Sequence, residues 1–136
     1  MIQRLQSLWL LLAAVCAFLT FRVSFFYGLK TGATANEELN AASAMLLIIT
    51  AAITGLGAFI AIFLYKNRKL QLRITAVVLV VSILNLVLYF MHTKEYATGK
   101  FSLTSVVSFV IPVLLLLAIR GIWKDQKLIK SLDRLR

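Results

Sequence analysis

The chain has 136 residues, 61% of them hydrophobic, with a mean hydropathy of +0.91. A soluble domain of this size needs far more polar surface, so the composition excludes an ordinary water-soluble globule, and a single domain, residues 1–136, takes up the whole length. The net charge is +10, from 15 Lys and Arg against 5 Asp and Glu, and the cations stand in short blocks between apolar runs. That distribution fits membrane topology and anionic lipid; nucleic acid is not an expected partner.

Crossing a bilayer core as a helix takes about 20 apolar residues. Four stretches have this character, at 8–26, 44–65, 74–91 and 103–123, followed by a tail at 124–136. In lipid such runs must close their own backbone hydrogen bonds, which predicts helices; barrel strands would alternate polar and apolar residues, and these do not. The predicted fold is an all-α integral membrane four-helix bundle.

The first run also has the outline of a signal peptide, with Arg4 before an apolar stretch from Leu8. Ala14-Val15-Cys16 makes a poor cleavage site, and the apolar run continues through Phe18, Leu19, Phe25 and Phe26, so an uncleaved anchor is the expected form. Cys16, the single cysteine, reads as a packing residue. Arg22 near the end of this run can snorkel to head groups or pair with Glu37 or Glu38.

The first link contains Thr34-Ala35-Asn36-Glu37. This is either a capping box that starts the second helix near Ala35, outside the membrane, or a plain polar loop. The second span carries small residues at fourfold spacing, Ala51 with Gly55 and Gly57 with Ala61, which lets helices approach closely in lipid. Thr50 and Thr54 lie in the same span. In the third span Asn85, with Ser82 nearby, is the best candidate for bonding between helices, and His92 marks its end. Pro112 in the fourth span removes a backbone donor and frees the Ser108 carbonyl, which predicts a kink.

Lys and Arg set the orientation. Lys66, Arg68, Lys69 and Arg73 lie between the second and third spans. Lys124, Lys127, Lys130, Arg134 and Arg136 follow the fourth, with Arg120 at its edge, and Arg4 leads the first. Four spans put all these blocks on one face, with both ends in the cytoplasm (N-in, C-in). The tail is expected to form a short basic amphipathic cytoplasmic helix, with Lys124, Lys127, Lys130 and Arg134 opposite an imperfect apolar side and Trp123 in the interfacial belt. It can lie on the inner leaflet, pack against a cytosolic partner, or only fix topology. Arg4, Trp123, Lys124, Lys127, Lys130 and Arg134 are thus the candidate lipid or partner contacts.

The start, Met1-Ile2-Gln3-Arg4-Leu5-Gln6-Ser7-Leu8-Trp9-Leu10-Leu11-Leu12-Ala13-Ala14, and the end, Lys124 to Arg136, resemble the terminal signatures of the domain of unknown function 4293 family, small four-helix proteins of Bacteroidota. Gln126 stands where that pattern has an acidic residue. The resemblance implies a bacterial inner-membrane protein with four spans, and brings no activity, cofactor or catalytic residue with it. It draws attention to the termini, where Gln3 and Arg4 are placed to meet Asp125, Asp133 or Arg134 on one cytoplasmic surface.

No catalytic, cofactor-binding or metal-ligating constellation stands out. His92, Glu95, Glu37 and Glu38 lack a recognisable catalytic spacing, and no Asp or Glu falls within a span, as a proton- or cation-coupled carrier would need. The expected function is a non-enzymatic scaffold or accessory subunit of a membrane complex, with anionic lipids and a membrane-protein partner as its contacts. A small transporter or channel is the alternative.

Overall fold

The computed structural model describes residues 2–32 and 34–134, with side chains from residue 5 onward. Four helices run α1 (Ile2–Leu19), α2 (Met45–Phe63), α3 (Arg68–Thr93) and α4 (Ser105–Arg134). Each packs on its sequence neighbours, and α1 closes the ring against α4. α2, α3 and α4 are long and apolar enough to cross a membrane; the apolar part of α1, Leu5–Leu19, is shorter. This is the build of a helical membrane bundle.

The packing is inverted relative to a soluble protein. Ala13, Ala14, Ala17, Ala58, Ala61 and Ala118 are all but fully buried, joined by a few larger residues such as Leu10 and Leu115. The large apolar side chains point outward, among them Leu8 and Val15 of α1, Ile53 and Leu56 of α2, Val80 and Leu84 of α3, and Val113 and Leu116 of α4. Lipid tails are as apolar as leucine, so no hydrophobic gain drives large residues inward. Small residues at the contacts allow closer backbones and more dispersion contact.

The helices are not the whole fold. Three short strands, β1 (Phe26–Lys30), β2 (Asn36–Leu39) and β3 (Tyr96–Phe101), form an antiparallel sheet in the order β2-β1-β3. The all-α expectation is therefore corrected: both links at this end of the bundle are sheet. The first apolar stretch does not stay helical to Phe26. α1 stops at Leu19, and Phe25 is already tied to both outer strand ends, its N–H bonded to the Leu39 carbonyl and its carbonyl to the Ser102 N–H. The capping box is not formed either. Glu37 and Glu38 are strand residues paired with Gly28 and Tyr27, and α2 starts at Met45 after Ala44, which makes no side-chain cap. The turn before α2 is held by Asn40 and Ser43: the Ala42 N–H donates to Asn40 Oδ1 (2.9 Å) and the Asn40 N–H to Ser43 Oγ (2.9 Å).

Aromatic packing seats this sheet on the helices. Phe25 is buried and stacked on Tyr89 of α3 (ring centroids 4.4 Å apart, planes at 17°), with Phe90 and Phe101 edge-on. Phe26 meets Tyr96 and Phe101 the same way. β1 and β3 approach so closely that a Cβ on Gly28 would run into the Thr98 carbonyl oxygen, so glycine is required there.

The C-terminal tail is not a separate helix. α4 continues unbroken for 30 residues to Arg134, about 45 Å at the usual rise. No helix-breaking residue follows Gly121, and Lys, Gln and Leu favour continuation, so the basic segment projects from the bundle as the last turns of α4. Pro112 is accommodated inside this helix.

The contact between α2 and α3 depends on Gly57, whose Cβ would run into Cγ2 of Val78. Val78 is β-branched and held to one favoured χ1 rotamer in a helix, so it cannot swing aside. Gly57→Ala is expected to destabilise the folded chain by about 1–3 kcal/mol in detergent-mediated unfolding. Gly57→Ala combined with Val78→Ala should show a favourable coupling of at least about 0.5 kcal/mol.

Candidate functional site at the basic end of the bundle

The end opposite the sheet carries most of the cations, and its helices are tied by polar side chains. Asp125 of α4 is only 6% exposed. It accepts a hydrogen bond from Nε2 of Gln6 of α1 (2.8 Å) and lies 3.8 Å from the Arg68 guanidinium at the start of α3. Gln6 lies over Gly121, where a Cβ would sit 2.9 Å from its Cγ, so glycine one turn before Asp125 opens the path for the bond. Gln71 of α3 donates from Nε2 to the Ala61 carbonyl (2.9 Å), capping the C-terminal end of α2. The turn between α2 and α3 is thereby short, with the Asn67 N–H bonded to the Leu64 carbonyl.

Around this knot lies an open cleft of about 730 Å³. Tyr65, Lys66, Asn67, Arg68 and Lys69 line it from the α2–α3 turn, and Gln126, Ile129, Lys130 and Asp133 line it from one stripe of α4. On another face of α4, Trp123 is exposed and the Lys127 ammonium sits 5.8 Å from its ring centroid. Lys124 and Arg134 are also exposed, outside the cleft. The proposed contacts of Gln3 and Arg4 lie outside the described side chains. On the α4 side, Asp125 is the buried member, and its partner on α1 is Gln6, which no local pattern in the sequence singles out.

The small residues of α2 meet helices of this chain. Ala51 and Ala61 are buried, and a Cβ on Gly55 would lie 3.1 Å from the Phe18 ring of α1. Asn85 is 9% exposed and lines a small cavity with Thr20, Thr54, Ser82 and Ser108, set among apolar residues from all sides of the bundle. The cavity holds about 10 Å³, room for roughly one water. Asn85 Oδ1 finds no hydrogen-bond partner among the described residues. Three of the surrounding hydroxyls donate back to their own chain: Thr20 to Ala17, Thr54 to Thr50, and Ser82 to Leu79.

At the sheet end a second open cleft, about 510 Å³, is lined by Lys30, Glu37, Glu38, His92, Glu95 and Tyr96, among others. Glu95 pairs with Lys30 (3.6 Å) and lies 3.4 Å from His92 Nδ1. Burial, and then the charges of Glu37 and Glu95, push the Tyr96 phenol up from its ordinary value. Among the described residues no three His, Cys, Asp or Glu converge as a metal-ligating group.

The family described as Domain of unknown function (DUF4293) matches residues 2–135. The chain belongs to the DUF4293 family. No curated protein and no solved structure matches it. The resemblance seen at the two ends of the sequence thus extends across nearly the whole DUF4293 chain, and the Gln6–Asp125 bond joins the two segments that carried it.

Gln6→Leu should leave the buried Asp125 carboxylate without its closest donor and destabilise the chain by about 1–3 kcal/mol. Gln126→Leu, beside it on α4 but half-exposed, should change stability by no more than about 0.5 kcal/mol in the same unfolding assay.

Proposed function

We propose that this DUF4293 protein is a non-enzymatic scaffold or accessory subunit of a membrane complex, acting through its outer helix faces and its basic end. In this reading it is a multi-pass protein of the bacterial inner membrane in Bacteroidota. It crosses the bilayer four times and keeps both ends in the cytoplasm. The observation that carries the proposal is the interior of the bundle: closely packed alanine and glycine, with a cavity of about 10 Å³. A solute path needs a continuous water-lined face, whereas most hydroxyls here are bonded to their own helices. What the protein offers to other molecules is its surface.

A fourth crossing by α1 is supported by its 18 residues, about 27 Å of helix, and by its place between α2 and α4. The orientation is supported by charge. The basic end holds eleven of the 15 Lys and Arg, counting Arg4 and Arg136, against Asp125 and Asp133. The sheet end holds Arg22, Lys30, Lys94 and Lys100 against Glu37, Glu38 and Glu95.

The scaffold reading is tested by purification in mild detergent followed by reconstitution. A defined membrane protein should co-purify in a fixed ratio, and liposomes carrying the purified chain should show the same solute flux as empty ones. Flux that rises with the amount of protein, with no partner retained, would replace this reading with a transporter or channel.

A further inference from the structure

The cleft at the basic end combines features that a soluble anion would not use together. Lys66, Arg68 and Lys69 approach from the α2–α3 turn and Lys130 from α4. Arg68 shares its charge with the buried Asp125, and Asp133 offsets one more cation, so the lysines leave the cleft positive. Asn67, at the head of α3, makes no side-chain cap, which leaves the first amides of that helix available to an anion as a secondary contribution.

Depth gives the second argument. α2 ends at Phe63, which is 65% exposed, and the cleft begins two residues later at Tyr65. Phe59 and Phe63 stack edge to face on the outer surface of α2 (5.2 Å between centroids), and Tyr65 and Trp123 are exposed where that apolar surface ends. Aromatic residues at this level mark the head-group layer of a bilayer. Ile129 adds an apolar wall to the cleft. A molecule with a phosphate head and hydrocarbon chains would satisfy the lysines and lie along Phe63 and Phe59 together.

We propose that this cleft binds one anionic phospholipid, its phosphate held by Lys66, Lys69 and Lys130 and its chains laid along α2. The proposal rests on the membrane-embedded reading above. It adds to general attraction by a basic surface a single site with a fixed position.

Native mass spectrometry of the full chain, from micelles containing equal amounts of phosphatidylglycerol and phosphatidylcholine, reads the site directly. The chain should retain one phosphatidylglycerol with at least about a tenfold preference. The triple change Lys66→Gln, Lys69→Gln, Lys130→Gln should abolish that preference. Arginine at the same three positions should keep it, which separates lost binding from lost folding. Lys94→Gln with Lys100→Gln, at the sheet end, should leave it unchanged. Equal retention of the two lipids would overturn the proposal, as would an equal loss from the sheet-end pair. Displacement of the lipid by millimolar inorganic phosphate would overturn it too, by making the cleft a small-anion site. Retention of a protein partner is scored in separate spectra, so failure of the scaffold reading and failure of the lipid site are distinguishable.

Discussion

Close approach of helix backbones in an apolar surround is the constraint on which the rest of this structure depends. In hydrocarbon, every backbone amide and carbonyl must be bonded within the protein, and large side chains gain little by turning inward. Alanine and glycine at the contacts let dispersion between backbones do what hydrophobic burial does in water. The leucines, isoleucines and valines that this displaces form the outer surface of the bundle. The arrangement would aggregate in water and is suited to lipid.

The same constraint explains what happens at the two ends. Where the helices leave the apolar layer, polar groups can be bonded again, and each end closes differently. At the basic end, single polar side chains reach across: Gln6 to Asp125, and Gln71 to the Ala61 carbonyl in the last turn of α2. At the other end the links pair into a sheet, and Phe25 stacks on Tyr89 to seat it. The bundle is thus bracketed by two polar closures around an alanine-rich middle.

The positions of the long apolar helices were legible in the sequence because each is a local property of about twenty residues. α2 (Met45–Phe63) falls inside the apolar stretch at 44–65, whereas α3 (Arg68–Thr93) runs past the stretch at 74–91 at both ends. The sheet was not legible. β1 pairs with β3, about seventy positions away, so neither segment carries the partner that makes it a strand. Phe25 and Phe26 read as the tail of an apolar run, and Thr34 to Glu37 imitates a helix start. The cues that were present, Gly28 and Gly99 flanked by aromatic residues, acquire meaning only once the two are known to face each other. At the basic end the cations were readable as a topology signal. Their convergence with one stripe of α4 was hidden, because the tail reads as a separate helix when it is the continuation of α4. Gln6 is hidden for a related reason: it is one of several polar residues, with Gln3, Arg4 and Ser7, ahead of the first apolar run, and nothing local singles it out until its partner is placed.

The proposed account makes the two ends chemically and spatially opposite, with a bilayer between them. Single cysteines, introduced in a background with Cys16→Ala, test this most directly. Thr98→Cys places one on the exposed sheet and Ser131→Cys one on the exposed end of α4. In intact spheroplasts, a membrane-impermeant maleimide should modify the sheet position rapidly and the α4 position only after the membrane is opened. Modification of the α4 cysteine in sealed cells, at a rate similar to that of the sheet cysteine, would contradict it.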